Sequence, residues 1–403
     1  MANILEYLDW RGDIPIAVDG FNPVDNLILA QMAYTDFEGV MAEGESLGIK
    51  QAAEKYFELH TEEEVMKRTT FYKLAPIVLK KAAESGRFGD LVLENYVNIV
   101  NTEKDEQYSA ITYRMPENMI YVAFRGTDNT LVGWKEDFNL SFMSETAGQK
   151  RAVKYVNKNF TEGDETLIFG GHSKGGNLAV YAAAFCEDSI RARIKQVYSN
   201  DGPGFREEIL EKQGYQEILP RIISIIPEES IVGMLLENEY ENRIIKSSAK
   251  FVTQHDPMTW QVYGRDFVGA DKISSNSRII DKTMMKWLAT MSDEDRRAFT
   301  DSLFSSIDST GVKTLNEISE GGVKIISELI KAFKDMEPAK QQEFSELVKR
   351  LIKIGNDVMI HDFKKKIEPL KRLPANTVMK LTKSDDKQKA EQKAEETPEE
   401  DKQ

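Results

Sequence analysis

The sequence predicts an α/β fold: a mainly parallel sheet flanked by helices, followed by a helical C-terminal extension and a disordered tail. Three observations predict it. Residues 167–180 have the pattern of a short apolar strand, a glycine-rich turn and a helix. Strand-like apolar runs on either side of this stretch are separated by segments with helical spacing, which is typical of parallel sheets. From about Ile280 onward only helical patterns follow.

Length, charge and cysteine content narrow the class of protein. The chain has 403 residues, 41% of them hydrophobic, which is enough for one large domain with appendages or for two domains. Its net charge of -14 argues against a nucleic-acid partner, because phosphate binding needs clustered Lys and Arg. The single cysteine, Cys186, excludes a disulfide within the chain and is expected to be buried.

The predicted organisation has three parts. A main domain takes up residues 1–275, a helical extension residues 276–372, and a disordered charged tail residues 373–403. The first residues lack the basic and apolar regions of a signal peptide, and no stretch approaches the roughly 20 apolar residues of a membrane span. We therefore expect a cytoplasmic protein without a transmembrane segment.

Before the glycine-rich turn, the patterns indicate helices first and strands second. Asn22 or Asp25 is placed to cap the first long helix. Charged helical patterns then fill residues 41–92. The remaining elements are predicted helices at 43–57, 61–68 and 148–159, and predicted strands at 96–101, 107–114 and 119–124.

After the turn, three more strands are predicted, beginning at Ile194, covering 221–227, and covering 250–252 just before His255. The first of these is stopped by Gly202-Pro203-Gly204. Helices at 318–336 and 339–363 complete the chain.

The turn carries the pattern Gly171-x-Ser173-x-Gly175, which is that of a nucleophile elbow. Its glycines allow the strand and the helix to pack closely, and the serine is thereby exposed at the helix N-terminus. There the helix dipole and the free N–H groups favour a developing negative charge. Ser173 is therefore the candidate nucleophile.

A serine nucleophile needs a base, and His255 is the candidate. The chain has four histidines, and only His255 follows the last predicted strand, where the chain order serine, acid, histidine places the base. His172 precedes Ser173 directly, so its side chain should point away from that of the serine, and we expect it to be structural. His60 is expected at a helix boundary, and His361 in solvent or at the end of its helix.

The acid that orients the histidine has two candidates. Asp201 follows a strand and is bracketed by the rigid Gly202-Pro203-Gly204, whereas Glu229 follows the next strand. We favour Asp201, with Glu229 as the alternative, and we expect Asp256 to form a local turn.

An oxyanion hole needs two donors. The backbone N–H of Lys174 supplies one, and the loop at Arg125-Gly126-Thr127 is placed to supply the other. No group of His, Cys and carboxylate residues has the spacing of metal ligands, so neither a metal nor another cofactor is expected.

Two blocks together resemble a known family. Residues 122–127 with Trp134 and Asp137, and the elbow at 171–176, resemble the corresponding blocks of the fungal-type (class 3) triacylglycerol lipases. The resemblance covers about residues 95–260. Further motifs at 21–26, 199–205 and 255–257 resemble a bacterial branch of uncharacterised lipase-like proteins.

This resemblance implies an α/β-hydrolase fold and a role for each matching residue. Thr127 is implied as the oxyanion residue through its N–H and hydroxyl, with Asp137 orienting it. Ser173 is implied as the nucleophile and His255 as the base. Two departures stand out. Lys174 replaces the usual leucine, which we expect to put a charge near the pocket mouth, and the usual place of the acid here contains Glu228-Glu229-Ser230.

Two functions are therefore predicted as alternatives. The first is a metal-independent serine hydrolase that cleaves an acyl ester, for which a small-molecule or lipid ester is the substrate. The second is a non-catalytic hydrolase-like scaffold that binds a protein partner through its helical C-terminal half. Residues 41–92 and 231–250 are candidate lids in the first case.

Overall fold

A computed structural model describes residues 2–70, 72–128, 130–312, 314 and 322–371. Its centre is a sheet of eight strands whose spatial order equals their order in the chain. The strands are β1 (Leu47–Gly48), β2 (Val92–Asn101), β3 (Glu106–Met115), β4 (Met119–Phe124), β5 (Thr166–His172), β6 (Ile194–Asn200), β7 (Ile222–Pro227) and β8 (Asn242–Ile245). Strands β1 to β4 pair antiparallel, and β4 to β8 pair parallel. A separate hairpin pairs β9 (Val262–Tyr263) with β10 (Asp266–Phe267).

Helices precede, connect and follow these strands. The first group is α1 (Ile4–Arg11), α2 (Ile16–Asp19), α3 (Pro23–Met32), α4 (Ile49–Leu59), α5 (Glu62–Lys67) and α6 (Ala75–Glu84). The connecting group is α7 (Leu131–Asn139), α8 (Ala147–Phe160), α9 (Lys174–Phe185), α10 (Asp188–Arg191), α11 (Glu207–Leu210) and α12 (Gln213–Ile218). The C-terminal group is α13 (Ser275–Leu288), α14 (Asp293–Asp308), α15 (Gly322–Asp335) and α16 (Pro338–Lys371).

The sheet has a hydrophobic core on each face. All six residues of β4 are buried, and they alternate between the two cores, because successive side chains of a strand point to opposite faces. Tyr121 belongs to the core that also contains residues of α1, α3, α4 and α6, whereas Val122 belongs to the core that contains residues of α8, α9 and α12. A mainly parallel sheet covered by helices on both faces, with a strand–turn–helix junction at its centre, is an α/β-hydrolase fold.

The helix caps follow from local chemistry. Asn22 caps α3 by accepting from the backbone N–H groups of Val24 and Asp25, and Asp25 returns a bond to the Asn22 N–H. The Asp25 carboxylate also forms a fully buried ion pair with Arg87. This pair ties α3 to the segment before β2, so the N-terminal helices are fixed against the sheet.

Two predicted elements differ from the structure. The strand predicted at 250–252 is wrong, because Phe251–His255 forms a 3-10 helix in which Phe251 has a φ of 53°. The last parallel strand is β8 instead. The helix predicted at 43–57 begins only at Ile49, since Leu47–Gly48 pairs with β2 and Gly44 has a φ of 78°.

The C-terminal helices pack against the sheet domain. Arg206, which follows β6, forms two 2.9 Å hydrogen bonds to the carboxylate of Asp293 at the start of α14. Phe304 of α14 packs edge-on against Phe138 of α7, with 5.6 Å between ring centroids. Cys186 is buried, as expected. The predicted tail at 373–403 lies outside the described residues, and among the described helices none has the length and apolar character to cross a membrane.

Candidate active site

The elbow places Ser173 between the end of β5 and the start of α9. Its backbone has φ 58° and ψ -134°, a conformation that is rare for a residue with a side chain. A Cβ on Gly175 would lie 2.0 Å from the carbonyl oxygen of Phe124, and one on Gly171 would lie 2.3 Å from the carbonyl carbon of Gly175. Both positions therefore require glycine, and the resulting close packing holds the strained serine in place.

Asp201 and His255 meet beside the elbow. Asp201 is fully buried directly after β6, and its Oδ2 lies 2.6 Å from Nδ1 of His255. Its other oxygen, Oδ1, accepts hydrogen bonds from Ser230 Oγ at 2.5 Å and from the Gly233 N–H at 3.1 Å. The structure thus brings together the favoured acid and the candidate base, with the carboxylate held by three partners.

Glu229, the alternative acid, faces a different group. Its Oε2 accepts from the backbone N–H of Phe251 at 2.5 Å and from the side-chain amide of Gln254 at 3.2 Å. Glu229 therefore fixes the backbone of the 3-10 helix that carries His255, but not the imidazole. Asp256 forms the local turn expected of it, since its Oδ1 accepts from the N–H of Met258 at 2.9 Å.

His172 contributes to the site in a way that the sequence analysis missed. Its Nε2 lies 2.8 Å from the carbonyl oxygen of His255, and the two imidazole centroids are 4.5 Å apart. Because a carbonyl can only accept, Nε2 carries the hydrogen, and Nδ1 then accepts from the Tyr34 hydroxyl at 3.1 Å. Burial, aided by the charge of His255, holds the pKa of His172 well below its usual range, so this ring stays neutral.

The loop after β4 packs directly on the elbow. A Cβ on Gly126 would lie 2.2 Å from the Tyr34 hydroxyl oxygen and 3.1 Å from the Cβ of Ser173. Glycine at this position therefore lets Thr127 approach the serine. The Thr127 hydroxyl donates to Oδ2 of Asp137 at 2.5 Å. Burial raises the pKa of Asp137 to about 6, against the opposing charge of Lys174, and its Oδ1 is buried without a hydrogen-bond partner.

The expectation of a charge near the pocket mouth is wrong, because the Lys174 side chain is buried, with 1% of its surface exposed. Its Nζ donates to Glu136 Oε2 at 2.9 Å and to both the carbonyl and the side-chain oxygen of Gln107. Glu136, equally buried, also accepts from the N–H groups of Gln107 and Gly148. The ion pair therefore joins α9 to α7 and β3 inside the protein.

A cavity of about 300 Å³ connects these groups. Five of the predicted site residues line it, namely Thr127, Asp137, Ser173, Lys174 and His255. Both segments considered as lids contribute to the wall, the first through Tyr72 and the second through Val232, Leu235 and Leu236. Among the hydrogen bonds of the described residues there is none between the Ser173 hydroxyl and the His255 ring. Such bonds are often long before substrate binds.

Neither remaining histidine belongs to the site. His60 follows α4 and packs against Tyr56, with ring centroids 4.9 Å apart, and His361 is exposed on α16. Within the described part of the chain, no group of three or more His, Cys or carboxylate side chains is placed to hold a metal ion.

Comparisons with known proteins found a matching family model and similar solved structures. A family model described as Mbeg1-like matches residues 82–305. Similar solved structures include M37 lipase, 16% identical over 52% of this chain and 68% of that chain, with a TM-score of 0.34. They also include a Rhizomucor miehei lipase propeptide complex, 19% identical over 49% and 67% with a TM-score of 0.32. A lipase from Rhizopus microsporus var. chinensis is 16% identical over 59% and 86%, with a TM-score of 0.31. No curated protein sequence matches the chain.

Proposed function

The chain belongs to the Mbeg1-like family, and from this premise we propose that it is a serine hydrolase that cleaves a carboxylic ester through an acyl-enzyme on Ser173. The observation that carries the proposal is the 2.6 Å contact between Asp201 and His255 at the wall of the cavity that Ser173 also lines. A buried acid, an imidazole and a partly buried serine hydroxyl that lines the cavity are the parts that acyl transfer needs.

In the proposed reaction the Ser173 oxygen attacks the acyl carbonyl, and its proton passes to Nε2 of His255. Asp201 holds Nδ1 of the ring protonated, which leaves Nε2 as the basic nitrogen and stabilises the imidazolium that forms. The tetrahedral intermediate then expels the alcohol, which takes the proton back from Nε2. A water molecule then attacks the acyl-enzyme in the same way and gives its proton to His255. The carboxylic acid is released and Ser173 takes the proton back.

The oxyanion is proposed to bind to the backbone N–H groups of Lys174 and Thr127, since the one hydroxyl hydrogen of Thr127 is donated to Asp137. Lys174 is the first residue of α9, where N–H groups have no partner within the helix. The hydrogen bond from the Thr127 hydroxyl to Asp137 fixes the threonine rotamer. The tight packing of Gly126 on the elbow supports a position of Thr127 close to the reacting carbonyl.

The test is a comparison of the wild type with Ser173→Ala on a panel of p-nitrophenyl esters, together with labelling by a fluorophosphonate probe. We expect the substitution to lower kcat by at least about a thousandfold and to abolish labelling. A folded wild-type protein that stays unlabelled and hydrolyses no ester of any chain length would contradict the proposal.

The scaffold alternative would be favoured if the ring of His255 had no carboxylate partner. The contact between His255 and Asp201 favours the hydrolase on this criterion. Partner binding through the C-terminal helices stays a prediction. The first of these helices, α13, contributes side chains to the cavity.

A further inference from the structure

The helical extension contributes directly to the cavity beside Ser173. Met284, Trp287 and Leu288 of α13 line it, together with the apolar residues of the loop after β7 and of α7. These three positions lie on one side of a helix at spacings of three and four residues. The chain therefore uses a helix from outside the sheet domain to complete the wall of its candidate active site.

This helix is held firmly in place. Its cap residue Ser274 donates through its backbone N–H to the carbonyl of Glu228 at 2.7 Å, next to the end of β7. At the other end, the indole N–H of Trp287 donates to the carbonyl of Leu347 on α16 at 2.9 Å, and Trp287 is only 4% exposed. Arg296 of α14 bridges the carbonyls of Leu288 and Ser141. Because these hydrogen bonds tie α13 to the end of β7, to α14 and to α16, the helix is a fixed wall of the cavity.

The side chains that line the cavity differ in exposure. Val252 and Trp134 have 62% and 37% of their surface exposed. On α13, Met284 and Leu288 are partly buried, and Trp287 belongs to the buried cluster that it forms with Met291 and Leu347. The α13 side chains are therefore less exposed than Val252 and Trp134 on the same cavity.

Apolar atoms make up most of the accessible lining of the cavity, which suits the acyl chain of an ester better than a polar alcohol. The cavity of about 300 Å³ must hold the reacting carbonyl and the alcohol as well as this chain. The position of its walls therefore affects how long an acyl chain fits.

We propose that Met284, Trp287 and Leu288 form the wall that limits the acyl chain, so that these residues select the length of the fatty-acid ester that this hydrolase accepts. The proposal rests on the proposed function for its reaction, and adds the substrate class and the residues that select it. In this interpretation the C-terminal extension determines specificity.

The experiment uses two neighbouring methionines of the full-length chain. Met284 lines the cavity, whereas Met285, the next residue on the same helix and also partly buried, does not. Each is replaced by Ala and by Trp, and kcat/KM is measured on p-nitrophenyl esters from acetate to palmitate. Because one methylene in an apolar pocket changes kcat/KM about tenfold, the ratio for dodecanoate over butyrate is the readout.

We expect Met284→Ala to raise this ratio about tenfold and Met284→Trp to lower it about tenfold, with both Met285 variants within twofold of the wild type. A structural role alone predicts a uniform loss for all esters. The proposal is overturned if both Met284 variants leave the ratio unchanged, or if the Met285 variants change it equally.

A wild type that hydrolyses no ester would contradict the proposed function without deciding the role of α13. Calorimetric binding of octanoate and dodecanoate then tests the wall directly. We expect Met284→Ala to favour dodecanoate relative to octanoate, and Met284→Trp to favour octanoate. Equal relative affinities in the wild type and both variants would overturn the proposal, whatever the activity.

Discussion

Oδ2 of Asp201 lies 2.6 Å from Nδ1 of His255, although 54 residues separate the two in the chain. The acid is itself fixed, because its Oδ1 accepts from Ser230 and Gly233. The contact requires the hydrogen to sit on Nδ1 and leaves the lone pair on Nε2, which is the tautomer that a general base needs. The pair is thus arranged for proton transfer before any substrate arrives.

Replacement of the acid is the first prediction. In Asp201→Asn the amide oxygen can still accept from Ser230 and Gly233, but the amide nitrogen then faces Nδ1 and favours the wrong tautomer of His255. We expect kcat to fall about ten-thousandfold, the loss that this change causes in a serine hydrolase triad. The measurement is steady-state hydrolysis of the best p-nitrophenyl ester, with near-UV circular dichroism to verify the fold.

Glu229→Gln is the matched control, since it tests the alternative acid. Its side-chain oxygen can still accept from the N–H of Phe251, so we expect kcat to stay within about fivefold of the wild type. Equal losses in the two variants would contradict the assignment of Asp201 as the acid.

The sequence predicted the elements that are defined by glycine and proline positions and by hydrophobic periodicity. The glycine pattern around Ser173 and the strand ending at Asn200 both lie where the patterns placed them. Local patterns cannot show which carboxylate a distant histidine meets, because that depends on the paths of two loops after neighbouring strands. Asp201 and Glu229 were therefore both open, and only the fold separates the contact with the imidazole from the contact with the backbone of Phe251.

The misses have a common physical cause. Lys174 was expected near solvent because charged side chains usually are exposed, yet a buried Glu136 on α7 pairs with it. No local signal marks Glu136, since the pairing joins elements 38 residues apart. The contributions of His172 and of Met284 were missed for the same reason. The Gly-His-Ser order was the one available signal for His172.

His172 offers the second prediction, as a positioning residue that acts through the carbonyl of His255. In His172→Phe an aromatic ring is kept, but the hydrogen bonds to this carbonyl and from the Tyr34 hydroxyl are lost. We expect kcat to fall about tenfold because the base is displaced, and KM to change less than kcat although His172 also lines the cavity. His172→Gln, whose amide N–H can replace the Nε2–H donor, should recover most of kcat. A rise in KM alone in both variants would argue against this role.

The raised pKa of Asp137 gives the third prediction, on stability. A carboxyl whose pKa rises from 3.8 when unfolded to about 6 when folded binds its proton more tightly in the folded state. Proton binding by Asp137 therefore stabilises the folded state fully below about pH 4, and this stabilisation is lost as the pH rises through 6. Asn at this position stays neutral throughout, so Asp137→Asn should stabilise the protein by up to about 3 kcal/mol at pH 7.5 and much less at pH 4.5.

Urea denaturation of the Asp137→Asn variant and the wild type at the two pH values measures this difference. The amide oxygen of Asn can still accept from the Thr127 hydroxyl, so we expect an activity loss of less than about tenfold. A stabilisation that is equal at both pH values would contradict a raised pKa at this site.

The buried pair of Lys174 and Glu136 gives the last prediction. Lys174→Leu installs the leucine that is usual in the class 3 lipases, but it leaves the Glu136 carboxylate buried without its cation. We expect a loss of about 3–5 kcal/mol in the free energy of unfolding. The double variant Lys174→Leu with Glu136→Gln should recover part of this loss, because no charge remains buried. The recovery is incomplete because the amide oxygen can accept from only one of the two N–H groups that bind separate carboxylate oxygens.

The exposed pair of Lys67 and Glu63, with 71% and 78% of the side-chain surface exposed, supplies the contrast. Removal of Lys67 should cost less than about 1 kcal/mol, since water already solvates both charges. If Lys174→Leu cost no more than Lys67→Ala, the buried ion pair would contribute no more to stability than the exposed one. The lysine would then be held by the oxygens of Gln107 instead of by an ion pair, and the departure from leucine at this position would have no electrostatic reason.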